Sequence, residues 1–310
     1  MRKTTWKRAG VALTAVGLVA GLAGCNDGDK TGAGAKAGDP TNAAQFIKVA
    51  YEKTSAAKSA KVKMTIKMDG LGPDSGSTEM SGVQGWDPGF MDFTMKGSML
   101  SAGDPEAPEQ MRMLMLDDVM YVDMGEKQAA EMDGKRWVKL DLKAAAEASG
   151  DKSLQKAMTG NLDQMNQDPA QQLALLLDSP DLKHVGAEKV NGMETQHYKG
   201  TLTVEQMLNA NKAADFLSKE DREKLVENMK KMKLEAYDTE VWVNKDGYPA
   251  RMNVSMKTPE GSMKMTADYS DYGTKASVQA PPAGQTVDLF EMLKDAGEAL
   301  KGMDTEGAQG

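Results

Sequence analysis

Hydrophobic residues recur at every second position in run after run of this chain, and that period limits its possible folds more than any other feature. Val62, Met64, Ile66 and Met68 alternate with Lys61, Lys63, Thr65 and Lys67. Successive side chains of an extended strand point to opposite faces, so each such run predicts a strand with one wet face and one dry face. The alternation returns in Met91-Phe93-Met95, Met111-Met113-Met115, Met120-Val122-Met124, Val138-Leu140-Leu142, Val241-Val243, Met252-Val254-Met256 and Met263-Met265-Ala267-Tyr269. Between the runs stand Asp87-Pro88-Gly89, Asp117-Asp118, Asn191-Gly192, Lys245-Asp246-Gly247 and Pro259-Glu260-Gly261, each short enough to close a hairpin. Short turns join antiparallel neighbours, because parallel strands need long crossovers. The prediction is a meander of about ten or eleven strands.

Helical periodicity brackets and interrupts the strands. A first helix is predicted from Asn42 to about Lys58, capped by Thr41 or Asn42, with Phe46, Val49, Ala50 and Lys53 on one partly buried face. Two helical insertions follow. One covers about Leu142 to Asp178 and restarts at Asp168-Pro169 ahead of Leu173, Leu175, Leu176 and Leu177; the other covers about Val204 to Lys231 and carries Phe216, Leu217, Leu225, Val226 and Met229. A short last helix is predicted at Asp288 to Leu300. The fold class is therefore α+β: one domain over residues 42–300, a large curved antiparallel sheet with helices over one face, and a polar tail at 301–310.

The start of the chain carries a different signal. Arg2, Lys3, Lys7 and Arg8 precede an apolar stretch from Ala9 to Ala20, which is too short and wrongly flanked for a stable spanning helix. It ends in Leu22-Ala23-Gly24-Cys25, which resembles the lipobox of bacterial lipoprotein signal peptides. That resemblance implies a signal peptide over residues 1–24, cleavage between Gly24 and Cys25, and diacylglycerol on the Cys25 sulfur. The mature chain is then expected at the cell membrane, lipid-anchored on the extracytoplasmic face. Residues 26–41 are mostly Gly, Ala and Asp with nothing to bury, so residues 25–41 read as the lipidated cysteine and a flexible tether. Gly32, Gly34 and Ala37 loosely match a dinucleotide fingerprint, but no strand precedes them and the match is set aside.

Composition removes several classes of function. The net charge of −8, with Lys and Arg dispersed among acidic neighbours, argues against nucleic acid as a partner. Cys25 is the one cysteine, so no disulfide can form within the chain. His184 and His197 are the two histidines, too few for a His-rich zinc site. His197 lies in Thr195-Gln196-His197-Tyr198, a predicted strand opposite Met193, and reads as structural. Asp117-Asp118 serve turn geometry. No Walker loop, H-E-x-x-H or G-x-S-x-G elbow is present, so the expectation is a protein that is not an enzyme, with no cofactor and no catalytic or metal site.

The 25 methionines take strand positions that Val and Ile usually fill, since isoleucine occurs only at Ile47 and Ile66. Three readings follow. Flexible, polarizable thioethers suit a wall that adapts to ligands of varied shape. They also suit a plain filled core. Paired on one strand face, as in Met111, Met113 and Met115, they offer soft sulfurs to Cu(I).

Several passages share their order with a known family. They are Met120-Tyr121-Val122 followed by Lys135-Arg136-Trp137-Val138-Lys139-Leu140-Asp141, then His197-Tyr198-Lys199-Gly200-Thr201-Leu202, then Glu240-Val241-Trp242-Val243 through Gly247-Tyr248-Pro249-Ala250-Arg251-Met252, and finally Ala280-Pro281-Pro282 with Val287-Asp288-Leu289. Together they resemble the actinobacterial LppX/LprG-type lipoproteins and, more distantly, the LolA/LolB lipoprotein carriers. The resemblance implies a half-barrel sheet whose concave side, closed by helices, encloses an apolar cavity for acyl chains. Its members bind or carry acylated lipids and glycolipids in the cell envelope. The expected lining is Met64, Ile66, Met68, Met91, Phe93, Met95, Met252, Val254 and Met256, covered by Leu173, Leu176, Leu177, Phe216 and Leu217. The expected partners are a lipid or glycolipid and, through Cys25, the plasma membrane; the sequence names no protein partner. A structural or sensory lipoprotein with a filled core and a copper-handling lipoprotein are the alternatives.

Overall fold

The computed structural model describes residues 41–70, 75–101, 108–116, 118–141, 143–145, 169–210 and 236–292, with scattered positions between 223 and 233. All elements below belong to one compact unit, Ala37–Gly310. Cys25 with Gly24, and Phe216 with Leu217, lie outside the described residues.

Twelve strands form a single sheet. They are β1 (Ser59–Asp69), β2 (Gly76–Trp86), β3 (Gly89–Gly97), β4 (Gln110–Leu116), β5 (Val119–Asp123), β6 (Trp137–Asp141), β7 (Lys183–Val190), β8 (Met193–Thr203), β9 (Ala236–Asn244), β10 (Pro249–Lys257), β11 (Ser262–Ser270) and β12 (Thr286–Asp288). Their order is β12-β6-β5-β4-β3-β2-β1-β11-β10-β9-β8-β7, so β12 and β7 are edges and the sheet is open. The described helices are α1 (Ala43–Ala57), α2 (Ser98–Ser101), α3 (Gly125–Glu131), α4 (Pro169–Leu177) and α5 (Val204–Ala210).

All five predicted turns close hairpins: Trp86 pairs with Gly89, Leu116 with Val119 and Val190 with Met193, while β9 pairs with β10 and β10 with β11. The connectivity differs from one continuous meander. Two meanders, β1–β6 and β7–β11, meet where β1 pairs with β11, at Lys61 opposite Ser270 through Asp69 opposite Ser262. The last strand also breaks the antiparallel rule: β12 runs parallel to β6, with Val287 opposite Val138 and Asp288 opposite Lys139. A helical turn at 289–292 follows it, where the sequence places its last helix.

Asn42 caps α1 by accepting the Gln45 N–H at 3.3 Å, and Lys58 closes the helix in the left-handed conformation at φ 65°. The buried face of α1 is Phe46, Ile47, Ala50 and Thr54. The expected partly buried face, Phe46, Val49, Ala50 and Lys53, adjoins it, with Phe46 and Ala50 buried and Val49 and Lys53 half-buried, and the Asp246 carbonyl accepts the Lys53 ammonium at 2.6 Å. In α4, Pro169 occupies the first helical position, where its missing N–H costs nothing, and Leu173, Leu175 and Leu176 are buried. Phe46, Ile47 and Ala50 of α1 and Leu173 and Leu176 of α4 form one hydrophobic core with a single face of the sheet.

An apolar sheet face and a cleft at its edge

The strand register arranges the dry positions into rows that run straight across the sheet. Residues directly opposite one another on neighbouring strands share a face and bring their Cβ atoms to about 4.5–5.5 Å. One row reads Tyr198, Val241, Met252, Ala267, Met64, Met80, Met95, Met111 from β8 to β4. A second reads Leu202, Tyr237, Met256, Met263, Met68. Between them lie Thr239, Val254, Met265 and Ile66. On the other side of the first row lie Tyr269, Val62, Gly82, Phe93, Met113, Val122 and Val138, and then Met91, Met115, Met120 and Leu140. This face is mainly apolar, with Thr239, Thr78, Gln84 and Gln196 among its polar positions.

Every predicted strand residue of the lining set is on this one face: Met64, Ile66, Met68, Met91, Phe93, Met95, Met252, Val254 and Met256. They divide by cover. Met91, Phe93 and Met252 are buried in the core with Leu173 and Leu176, and Met64 and Leu177 pack against it; Val254 is buried as well. Ile66, Met68, Met95 and Met256 are half-buried. Among the described residues, α1 and α4 therefore cover the part of the face around Val62, Met91 and Met252. The row through Met256, Met263 and Met68 and the β4–β6 end keep partial access.

The predicted set omits Met80, Met111, Met113, Met263, Met265 and Tyr237, which share the face. Four of these carry the same period-two signal, whereas Met80 sits among the Gly and Ser residues of β2, where the signal is diluted. Burial lifts the Tyr237 phenol to about 12. Its hydroxyl reaches Gln172 Oε1 of α4 at 3.4 Å.

At the β7 edge the same face opens into a cleft of about 790 Å³ between the start of α1, the end of α4 and β7, lined by residues including Thr41, Asn42, Leu177, Leu182, Lys183 and His184. His184 stands beside Tyr198 with ring centroids 5.1 Å apart, and its Nε2 lies 2.7 Å from Gln196 Oε1. The end of α4 is seated close to the sheet. Ser179 Oγ accepts the Thr201 N–H at 2.9 Å, and Asp181 Oδ1 accepts it at 2.7 Å. The Ser179 hydroxyl in turn holds the Asp181 carboxyl below its ordinary range.

The other face is polar and cross-braced. Arg112 forks Asp92 at 2.9 and 2.8 Å, and Arg251 forks Asp268 at 2.7 and 3.0 Å. His197, opposite Gly186 and Trp242, shares β8 with Met193 and does not face it. Its ring stacks on Trp242 at 4.2 Å, and Glu188 bonds both rings, at 3.0 Å to His197 Nδ1 and 2.8 Å to Trp242 Nε1. Those two bonds, Trp242 first, hold the Glu188 carboxyl below its ordinary range. Among the described residues, no group of three or more His, Cys, Asp or Glu side chains is placed to hold a metal ion. No described helix is long and apolar enough to cross a membrane.

No protein-family model matches the chain. An uncharacterized 31.2 kDa protein in the rplA-rplJ intergenic region of Streptomyces griseus is 32% identical over 265 residues, which span 81% of this chain and 80% of that protein. A candidate lipoprotein of Streptomyces coelicolor is 28% identical over 253 residues, 79% of this chain and 74% of its own length. Among solved structures, LprF from Mycobacterium bovis is similar with a TM-score of 0.44 and 13% identity, covering 78% of this chain and 97% of that one. The Mycobacterium tuberculosis lipoprotein LppX is similar with a TM-score of 0.41 and 14% identity, covering 76% and 97%.

Proposed function

This chain belongs to the family of the Streptomyces griseus 31.2 kDa protein, and from that premise we propose that it is a lipid-anchored envelope protein that binds the acyl chains of a lipid or glycolipid. In this reading Cys25 carries diacylglycerol and holds the domain on the extracytoplasmic face of the cell membrane. The apolar sheet face receives the ligand, and the protein carries or presents it within the envelope. The observation that supports the reading is the continuity of that face. Apolar residues extend across the sheet from β8 to β6, well beyond the part that α1 and α4 cover. Burying an acyl chain there yields about 0.8 kcal/mol per methylene, with no reaction chemistry and no energy source required.

The filled-core alternative has its own support, because Met91, Phe93, Met115 and Met252 are already buried beneath α1 and α4. The two readings differ in what the half-buried rows touch. Full-length chain produced in an acylating host and examined by native mass spectrometry separates them. An added mass that releases an acyl lipid on extraction supports the carrier. A protein whose only lipid is the covalent anchor at Cys25 overturns it.

A further inference from the structure

Met64, Met80, Met95 and Met111 stand directly opposite one another on four neighbouring strands, β1 to β4, on the apolar face. All four are half-buried, whereas Met115 and Met252 on the same face are 0% and 2% exposed. Methionines that solvent partly reaches are more open to two-electron oxidants than those sealed in the core. We propose that this row is a modification site: oxidation of Met64, Met80, Met95 and Met111 to sulfoxides by hypochlorous acid turns the apolar wall polar and releases the bound chain. In each event the sulfur gives up two electrons and gains the oxygen of hypochlorous acid, which leaves as chloride with release of a proton.

The physical effect is large because the row is contiguous. A sulfoxide is a strong acceptor that demands a hydrogen-bond partner, and the neighbours directly opposite are other methionines and Ala267, which offer none from their side chains. The polar groups would therefore face whatever lies on the wall. Methionine sulfoxide reductases undo the change, so the site is reversible. Met193 and Met292, 38% and 50% exposed, oxidise as readily, but neither belongs to the row.

The release of ligand, though not the site itself, rests on the lipid-binding reading. Full-length chain in mild detergent is titrated with hypochlorous acid, and each methionine is followed by peptide mass spectrometry beside the co-purified lipid. The four row methionines should convert at least about tenfold faster than Met115 and Met252, with the lipid lost in step. Because Met68, Met113, Met256, Met263 and Met265 of the same face are also half-buried, a combined Met80→Leu, Met95→Leu and Met111→Leu variant should retain more of its lipid than the parent at the same dose, whereas Met193→Leu with Met292→Leu should lose it like the parent. Row methionines that survive as long as Met115 and Met252 overturn the site. Complete oxidation of the row with the lipid retained overturns the release. An untreated parent without lipid defeats the carrier reading and with it the release, while the order of oxidation still decides the site.

Discussion

Phe46 stacks on Tyr198 with ring centroids 5.2 Å apart and planes 23° from parallel, which ties the first helix to β8 across more than 150 residues of sequence. The pair sits at the end of the longest apolar row, and His184 flanks Tyr198 from the edge strand. Phe46→Ala should cost about 3–5 kcal/mol through lost burial and the cavity left behind. Tyr51→Ala, on the open side of the same helix, should stay within about 0.5 kcal/mol. Urea unfolding of both variants tests this, and equal losses would mean that α1 is not docked through Phe46.

The strands that were legible in the sequence are those whose wet and dry faces differ sharply. β1, with Lys61, Lys63 and Lys67 against Val62, Met64 and Met68, is one; β10, with Met252, Val254 and Met256, is another. β2 escaped because Gly76, Ser81, Gly82 and Gly85 carry no pattern. β7 escaped because it is an edge with a register shift between His184 and Gly186 and little to bury. β12 is three residues long and is recognisable only by its pairing with β6. The shared face of the candidate site was legible, since a period of two assigns faces without any knowledge of strand order. Which part of that face is sealed was not, because it depends on where α1 and α4 land. The Glu188, His197 and Trp242 cluster was equally hidden, as it joins three strands that only the register brings side by side.

Gly200 fixes how closely α4 approaches the sheet. A Cβ added there would lie 2.6 Å from Ser179 Oγ and 2.8 Å from Leu176 Cδ1, and both are held in a buried junction. Gly200→Ala should cost about 1–3 kcal/mol by overpacking. Amide exchange should localise the loss to α4 and β8. A variant as stable as the parent, with unchanged exchange in α4, would show that the helix end can shift freely.

Acid should unfold the protein through its carboxylates. Burial works to raise Asp123, but the Arg136 Nε–H bond at 2.6 Å and the Gly125 N–H more than offset it, so the group titrates below its ordinary 3.8. Asp288 is lowered in the same contest by Lys139, and Asp181 chiefly by the Ser179 hydroxyl. Because the folded carboxyls release their protons more readily than the unfolded ones, their contribution is complete above the unfolded value. It drains as the pH falls through the lower folded values. Unfolding midpoints should therefore hold steady from neutrality to about pH 5 and fall between about pH 4 and 2. Asp123→Asn should lose about 1–2 kcal/mol near neutrality and flatten the acid branch. An acid branch identical to the parent's would remove Asp123 from this account.

The anchor is tested by one atom. Only the Cys25 thiol can accept a diacylglyceryl group, so Cys25→Ser should leave an uncleaved or released form without that lipid. Phase partition and intact mass should both change. A serine variant that follows the membrane fraction and detergent phase exactly as the parent does would defeat the lipobox reading.

Met95 and Met252 share a row but not a fate, and the same substitution at each separates a ligand-filled space from a filled core. Met252 is 2% exposed and packed beneath the helices, so Met252→Trp must displace neighbours and should cost about 1–3 kcal/mol. Met95 is half-buried on β3, between Met80 and Met111, outside the sealed core. An indole at Met95 has room if an acyl chain normally occupies the space above it, and it then takes that space. Met95→Trp should keep the parent's melting temperature while its co-purified lipid falls, whereas Met252→Trp should melt lower. A Met95→Trp protein that melts lower in step with Met252→Trp, beside a parent that carries no lipid, would mean that the methionine side chains themselves fill the face.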